Sequence, residues 1–363
     1  MVRKHQPKRI LVRCPNWVGD LIMATPVFAC LRENFPEARI SAMTRLYNAK
    51  VIADTPWLDE VVPCRDKTFA GLKATGQRIW EWSPDWIILL PNSIRSYIEA
   101  RLGGSASELF GYRRGLRKFF VHGPTPQRDT RGYVPRPMVE YYLEICRWLG
   151  LRVPEHPAPR LFISEKLRQA GQRLLEQFGI ADNDLVIGVN PGAKFGTSKC
   201  WPPEYFATLI DRLYEQHRCK LLLLVGPGEE ELAATISAQT HAPLINTAPA
   251  QVDLGMLKPL IGRCGLLVTN DTGPRHYATA FQIPVVVIMG PTDPRYTASN
   301  LEQTIVLRKA MDCSPCHKER CSRNHECMRQ ITPDEVMHAV AKLLSQVVAP
   351  LNLPSGSSLS AHP

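Results

Sequence analysis

The sequence predicts an α/β protein in which buried parallel strands alternate with helices in two similar halves. Short runs of branched apolar residues bounded by turn residues, such as residues 266–269 and 285–289, are typical of strands buried on both faces. Segments with apolar residues at helical spacing alternate with these runs, which favours βαβ units and parallel sheets. With 363 residues, the chain exceeds the size at which one core usually stops growing, so two domains are expected.

The first half ends in a linker at residues 154–159, where three prolines in six residues predict a stiff, extended segment. The strands predicted before it are residues 10–14, 40–43, 60–63 and 86–90, and the helices are residues 19–34, 47–54 and 139–149.

The second half restarts the same alternation. Its predicted strands are residues 185–190, 221–225, 266–269 and 285–289, and its predicted helices are residues 165–178, 204–216, 229–239 and 333–348. We therefore expect a first domain over residues 1–160, a second over residues 161–348, and a disordered tail over residues 349–363.

The chain carries a net charge of +10 and no segment that predicts membrane insertion or export. No apolar run reaches the roughly 18 residues that span a bilayer. The basic N-terminus leads into an apolar run too short for a signal peptide, so a cytoplasmic location is expected. The charge permits an anionic partner, but nucleic acid is not expected, since no binding motif is present and only 8% of residues are aromatic.

Polar residues 270–276 follow a predicted strand where a helix begins, which is where open α/β sheets bind ligands. The free amides of such a helix start attract anions, and Gly273 permits close approach of the backbone. Asp271 is unsuited to a site for phosphate alone and favours a ligand with hydroxyl groups beside a phosphate, such as a nucleotide sugar. The alternative is that Asp271 or Thr272 caps the helix.

Three further loops after predicted strands carry residues with similarly open interpretations. Asp20 is either a general base facing a cleft or a helix cap. Thr197, Ser198 and Lys199 fit a diphosphate, with Lys199 as a mobile cation, or belong to a solvated loop. Glu230, within a run of three glutamates, either accepts from ribose hydroxyls or stabilises the helix dipole.

Six short motifs together resemble the family 9 glycosyltransferases, and the resemblance extends in the same order from Ile10 to about Val348. The sequence after the second motif, Arg95 and then Gly111-Tyr112-Arg113, is more similar to the type II than to the type I lipopolysaccharide heptosyltransferases of that family. The motifs are Trp17-Val18-Gly19-Asp20, Pro91-Asn92-Ser93, Pro191-Gly192-Ala193, Lys199-Cys200-Trp201-Pro202, Asn270-Asp271-Thr272-Gly273 with His276, and Gly290-Pro291-Thr292.

The resemblance implies a GT-B fold, in which two Rossmann-like doubly wound domains face each other across a cleft. It also implies inverting transfer of heptose from ADP-heptose to a heptose of the lipopolysaccharide inner core, with no cofactor required for catalysis. The enzyme is then expected at the cytoplasmic face of the inner membrane, as a peripheral protein. The helix from Pro333 is expected to pack back towards the first domain.

The resemblance also assigns roles to individual residues. Asp20 is implied as the catalytic base and Lys199 as the contact to the donor phosphates. The residues implied to bind the donor are Thr197, Ser198, Glu230, Asp271, Thr272, Gly273 and His276, and those implied to bind the acceptor are Asn16, Ser93, Arg95 and Arg113.

Four cysteines lie within fifteen residues, in the segment 313–327. In a cytoplasmic protein, Cys313, Cys316, Cys321 and Cys327 are candidate ligands of a structural Zn²⁺. Their spacing differs from that of two well-separated zinc knuckles, so packed or redox-labile thiols remain the alternative.

A concentration of basic residues in the first half is either a solvated face or a wall that binds an acidic acceptor and anionic lipid. These residues are Arg95, Arg101, Arg113, Arg114, Arg117 and Lys118. Two other functions stay open: a family 9 transferase with another nucleotide sugar or acceptor, and a non-catalytic nucleotide-binding protein. Convergence of Asp20, Lys199 and Asp271 on one cleft would discriminate between an enzyme and a scaffold.

Overall fold

The structure is a computed structural model that describes residues 6–64, 68–130 and 132–347. The predicted tail, residues 349–363, lies outside the described residues, as does the beginning of the basic N-terminal arm.

The first half folds around a five-stranded parallel sheet with the strand order β3-β2-β1-β4-β5. Its strands are short and largely apolar because helices cover the sheet. The strands are β1 (Arg9–Arg13), β2 (Arg39–Arg45), β3 (Glu60–Cys64), β4 (Trp86–Leu89) and β5 (Glu108–Gly111), and the helices are α1 (Val18–Met23), α2 (Thr25–Asn34), α3 (Leu46–Ile52), α4 (Phe69–Trp82), α5 (Ile94–Gly103) and α6 (Met138–Trp148). A small antiparallel pair, β6 (Arg128–Asp129) and β7 (Gly132–Tyr133), lies between β5 and α6.

The second half folds around a six-stranded parallel sheet with the order β10-β9-β8-β11-β12-β13. The strands are β8 (Val186–Asn190), β9 (Lys220–Leu223), β10 (Leu244–Asn246), β11 (Leu266–Asn270), β12 (Val285–Ile288) and β13 (Thr304–Leu307). The helices are α7 (Glu165–Gln177), α8 (Pro203–His217), α9 (Glu230–Gln239), α10 (Leu257–Arg263), α11 (Gly273–Ala280), α12 (Glu326–Arg329) and α13 (Pro333–Val347). Both predicted parallel sheets are therefore present, each on its own side of the proline-rich segment 154–159.

The single helix predicted over residues 19–34 is two helices that meet at Ala24. Pro26 lies in the first turn of α2, where its missing N–H costs nothing, but a proline inside a continuous helix would break it. The hydroxyl of Thr25 donates to the carbonyl of Ile22 at 2.8 Å, which fixes the junction.

The two halves pack against each other through apolar contacts and a buried cation. The largest apolar core contains residues of both halves, and Trp57 packs edge-on against Phe162. The fully buried amine of Lys258 donates to the Asp54 carboxylate at 2.5 Å and to the Phe162 carbonyl at 2.8 Å. Because α1 also packs on α11, the loops that follow β1 and β11 face each other.

The helix that begins at Pro333 was expected to pack back towards the first domain, and this expectation is wrong for its described residues. α13 packs on α8 and on strands β11, β12 and β13, not on the first sheet. Val336, Val340 and Leu343 carry this packing, because they are buried in the apolar core of the second half.

Candidate active site

The cleft between the two sheets is closed most tightly where α1 meets α11. A Cβ added at Gly19 would lie 2.6 Å from Cδ2 of His276, and one added at Gly273 would lie 3.2 Å from Cγ1 of Val18. Side chains larger than glycine at these two positions would hold the helices apart. The motif glycines therefore set how closely the two helix starts approach.

Asp271 is the most highly connected side chain of the cleft. One carboxylate oxygen accepts from Arg275 at 2.7 Å, and the other accepts from Lys199 at 3.1 Å and from Thr292 at 2.5 Å. Burial alone would raise the pKa of Asp271, but the charges of Arg275 and Lys199 with these hydrogen bonds hold that pKa well below its usual range. Asp271 is thus a fixed negative charge, and it does not cap α11.

Lys199 ends a short 3₁₀ turn, Thr197–Lys199, in the loop after β8. Its amine donates to both the carbonyl (2.7 Å) and the carboxylate of Asp271 and lies 5.1 Å from the ring centroid of Phe195. Phe195 in turn packs against Trp17 of the first half, with ring centroids 6.2 Å apart. The cation therefore sits at the junction of the two halves.

Asp20 is held on the opposite wall of the cleft. Asp20 lies in the first turn of α1, and no side chain caps the N-terminus of this helix. The Asp20 carboxylate is therefore not a helix cap, which was the alternative interpretation of the sequence. Oδ1 instead accepts from the hydroxyl of Tyr142 at 3.3 Å. Burial raises the pKa of Asp20 to about 6, although the Tyr142 hydrogen bond and the charge of Lys199 favour ionisation.

Asp20, Lys199 and Asp271 converge on one cleft, because α1, which carries Asp20, packs on α11, which begins two residues after Asp271, and Lys199 donates to Asp271. Carboxyl groups with pKa values on either side of the ordinary range suit two different tasks. Asp20 is able to take up a proton near neutral pH, whereas Asp271 stays ionised.

His276 is buried between the two helices, and its imidazole is neutral at physiological pH. Burial together with the nearby charge of Arg275 lowers the pKa of His276 to about 3. Its ring faces Gly19 rather than solvent. The structure thus gives His276 a role in packing α11 against α1, and any contact to a donor would come from a neutral ring.

The start of α11 is open to an anion. Thr272 precedes the helix, and its hydroxyl donates to Oδ1 of Asn190 at 3.2 Å instead of capping the helix amides. The amides of the first turn, which begins at Gly273, are therefore not used by a side-chain cap. Asn190, at the end of β8, is a positioning residue that the sequence analysis missed; its place at the carboxyl end of a strand was the only available indication.

Two predicted donor residues point elsewhere. The hydroxyl of Ser198 donates to the carbonyl of Lys318 at 2.5 Å, so it binds the cysteine-rich segment 313–327 and not the cleft. Glu230 is exposed and accepts from the amide of Gly228 at 3.1 Å. The neighbouring Glu229 turns inward instead.

Glu229 lies against the loop after β8. Its carboxylate accepts from the amide of Gly226 at 2.8 Å, and a Cβ added at Gly192 would lie 2.0 Å from Oε1 of Glu229. Burial raises the pKa of Glu229. The inward-facing carboxylate after β9 is thus Glu229, one residue before the one predicted. Thr197, also predicted, is exposed at the surface of the same loop.

The predicted acceptor residues lie at the carboxyl edge of the first sheet with partners of their own. Oδ1 of Asn16 accepts from Arg45 at 3.2 Å, and Ser93 caps α5 by accepting from the amide of Ser96. Arg95 pairs with Glu99 at 3.0 Å, and the exposed Arg113 donates to the carbonyl of Lys118 at 3.1 Å. None of these contacts reaches across to the second half.

A buried cation accompanies these residues. Arg117 is 2% exposed, and its guanidinium donates to the carbonyl of Pro91 at 2.5 Å while Nε and Nη2 have no hydrogen-bond partner. Burial lowers the pKa of Arg117. It lies below the loop that holds Asn92, whose amide donates to Tyr141 at 2.9 Å. The region around Arg117 and the Asn92 loop is therefore electropositive, and we name it the electropositive corner.

The geometry gives no support to the structural zinc hypothesis. Across residues 6–64, 68–130 and 132–347, no three His, Cys, Asp or Glu side chains are grouped as metal ligands, and every cysteine in that part of the chain is a free thiol. Cys321 instead accepts hydrogen bonds from the amides of Arg323 and His325, both at 3.3 Å. The alternative, packed or redox-labile thiols, is the interpretation that agrees with these contacts.

Two parallel-sheet domains that face each other across a cleft form the GT-B architecture, which the solved structures of family 9 glycosyltransferases share. A family model described as glycosyltransferase family 9 (heptosyltransferase) matches residues 73–326, well over half of the chain. The chain belongs to glycosyltransferase family 9, and the resemblance seen in its motifs is confirmed.

Individual relatives match nearly the whole chain. Lipopolysaccharide heptosyltransferase 2 of Escherichia coli strain K12 is 26% identical over 351 residues, which cover 93% of this chain and 99% of that protein. The solved structure of E. coli ADP-heptose lps heptosyltransferase II is 26% identical, with a TM-score of 0.78, over 94% of this chain and 100% of the other. The glycosyl transferase family 9 protein from Veillonella parvula gives 25% identity and a TM-score of 0.80, over 93% and 97%.

Proposed function

We propose that this enzyme transfers heptose from ADP-heptose to a heptose of the lipopolysaccharide inner core with inversion at the anomeric carbon. The observation that carries the proposal is the placement of Asp20 across the cleft from the ion pair of Lys199 and Asp271. The names of the full-length relatives support the same donor and acceptor classes. Residues 1–160 then form the acceptor domain and residues 161–348 the donor domain.

The proposed reaction is a single displacement. Asp20 takes the proton from the attacking acceptor hydroxyl, and its pKa of about 6 leaves it mostly ionised at neutral pH and able to accept that proton. The acceptor oxygen forms the new bond at the anomeric carbon as the bond to the ADP phosphate breaks. No covalent glycosyl intermediate is required, in contrast to retaining hydrolysis.

The leaving diphosphate is stabilised from the second half. Lys199 supplies a point charge, and the amides at the start of α11 supply aligned donors in a site shielded from water. Asp271 holds the amine of Lys199 in place and presents oxygen acceptors to sugar hydroxyls. The proposal invokes no cofactor besides the nucleotide sugar.

The acceptor approaches the electropositive corner of the first half. Arg113 and Arg114 face an acceptor whose sugars carry acidic groups, and the buried Arg117 adds its positive charge from beneath them. Because that acceptor is anchored in a lipid, the enzyme acts at the cytoplasmic face of the inner membrane as a peripheral protein. Among the described residues, no helix is both long enough and apolar enough to span a bilayer.

The test is incubation with ADP-heptose and inner-core lipopolysaccharide that lacks the second heptose. We expect ADP release together with an acceptor whose mass rises by one heptose. ADP-mannose with the same acceptor and ADP-heptose without acceptor are the controls. Transfer from another nucleotide sugar in preference to ADP-heptose, or ADP binding without any transfer, would contradict the proposal.

A further inference from the structure

The first half exposes large apolar side chains on α5 and on the 3₁₀ turn that contacts α5. On α5, Ile98 and Leu102 are 39% and 57% exposed and lie one helical turn apart on the same face. In the 3₁₀ turn Gly115–Phe119, Leu116 is 73% and Phe119 is 69% exposed. Residues three apart in a 3₁₀ helix share a face, so Leu116 and Phe119 project together.

Aromatic contacts join the helix and the turn into one surface. Phe120 stacks on Tyr97 of α5 with ring centroids 5.5 Å apart, and Phe119 packs edge-on against Phe120 at 6.3 Å. A shallow hollow beside them is lined by Tyr97, both phenylalanines and Trp148. We name Ile98, Leu102, Leu116, Phe119, Phe120 and Trp148 the aromatic face.

Cationic side chains border this face. Arg101, Arg113 and Lys118 line the same hollow, and among the described residues that line it none is acidic. The Lys118 amine lies 4.9 Å from the ring centroid of Phe119, so the charge and the ring are presented together. Soluble monomers seldom expose a cluster of this kind, and such clusters mark interaction sites.

We propose that the aromatic face docks this enzyme on an anionic lipid bilayer. Aromatic and aliphatic side chains enter the boundary between headgroups and acyl chains, while Arg101 and Lys118 bind lipid phosphates. The charge of the border selects an anionic surface over a neutral one. The inference rests on the proposed function, because only a lipid-anchored acceptor requires the acceptor domain to lie on a membrane.

The docking position agrees with the layout of the acceptor domain. The exposed turn that carries Leu116 and Phe119 also contains the buried Arg117, whose guanidinium reaches the Pro91 loop at the carboxyl edge of the first sheet. A bilayer contacted by the outer side of this turn therefore lies next to the electropositive corner. The sugars of a membrane-bound acceptor reach the cleft from there without leaving the lipid surface.

The test measures binding of the full-length chain to vesicles of phosphatidylglycerol and phosphatidylethanolamine, with phosphatidylcholine vesicles as the comparison. We expect binding to the anionic vesicles that weakens with salt. Double substitution of Leu116→Ser and Phe119→Ser is expected to weaken binding by about tenfold or more. The pair Arg101→Gln and Lys118→Gln is expected to weaken it by about 25-fold, since each basic residue near an anionic surface contributes about fivefold.

A matched control is the pair Leu185→Ser and Leu301→Ser, which removes two exposed leucines from the second half and is expected to leave vesicle binding unchanged. Turnover on a deacylated, water-soluble acceptor should stay at the wild-type value in the Leu116/Phe119 variant, whereas turnover on vesicle-embedded acceptor falls. Wild-type turnover on the soluble acceptor also shows that the variant is folded.

Two results would overturn the proposal: wild-type enzyme that does not bind anionic vesicles at low salt, or a Leu116/Phe119 variant that binds them as well as wild type. Self-association that the variant abolishes, without vesicle binding, would assign the face to a second copy of the chain and would also overturn it. Vesicle binding through this face by a chain that transfers no heptose would instead refute the proposed function alone.

Discussion

Substitution of Asp20 by asparagine gives the sharpest test of the proposed chemistry. The change keeps the size of the side chain and its contact to Tyr142, but it removes the group that accepts the proton. We expect turnover to fall by about 100-fold to 10,000-fold, the range for loss of one general base. Affinity for ADP, measured by calorimetry, should persist, because the proposed donor contacts come from the second half.

The pH dependence of the wild-type enzyme follows from the same residue. Burial raises the pKa of Asp20 to about 6, and only the ionised carboxylate accepts a proton. The rate under donor-limited conditions should therefore fall as pH decreases through about 6 and level off above it. A rate that is independent of pH between 5 and 8 would contradict this assignment.

Tyr142 offers a matched variant that changes the pKa of Asp20 without removing the base. Its hydroxyl donates to Asp20 and stabilises the ionised form, so Tyr142→Phe raises the pKa of Asp20. A hydrogen bond worth about 1 kcal/mol corresponds to about 0.7 pKa unit, and the acid limb should shift upward by that amount. If Asp20→Asn keeps wild-type turnover, or Tyr142→Phe leaves the acid limb in place, Asp20 is not the base.

Three further predictions concern the second half and its contact with α1. Lys199→Ala should weaken ADP binding by about tenfold to 100-fold, as expected for a lost charge-assisted contact. Lys220→Ala, at the other end of the sheet, is the control and should leave ADP affinity unchanged. If the Lys199→Ala variant binds ADP as tightly as wild type, Lys199 lies outside the phosphate site. Ser198→Ala should lower the free energy of unfolding by about 1 kcal/mol and leave ADP affinity unchanged, and a large loss of affinity would restore Ser198 to the donor site. Gly19→Ala should lower the free energy of unfolding by about 1 to 3 kcal/mol, because the added methyl group meets His276. In a double-mutant cycle measured by thermal unfolding, His276→Ala should restore part of the lost stability. No restoration would mean that α1 and α11 are free to separate.

Much of the fold could be predicted from the sequence because parallel strands buried on both faces form continuous apolar runs. Each predicted strand lies in one of the two sheets, with ends displaced by two residues or fewer. The edge strands β5, β10 and β13 and the two-residue strands β6 and β7 were missed, since each is only two to four residues long. Helices α4, α5, α10 and α12 were missed as well; in α5 an exposed apolar row blurs the alternation that marks an amphipathic helix.

The site could be predicted only to the level of loops. Topology brings the carboxyl ends of parallel strands to one edge, and this is sufficient to place Asp20, Lys199 and Asp271 near a cleft. It does not say which way a side chain turns within a loop. Neighbouring residues at a helix start point about 100° apart, so Glu229 faces inward and Glu230 faces solvent, and no pattern in a run of glutamates distinguishes them.

The cysteine-rich segment 313–327 is fastened to both loops that surround Asp271. Its carbonyl groups accept from Ser198 in the loop after β8, and two of its amides donate to the carbonyl of Pro291 in the loop after β12. A segment that is hydrogen-bonded to two loops restrains both, because neither loop moves independently without breaking these hydrogen bonds. We therefore expect the loops around Asp271 to move as one rigid unit. Release of ADP then requires α1 and the first sheet to move away from these loops.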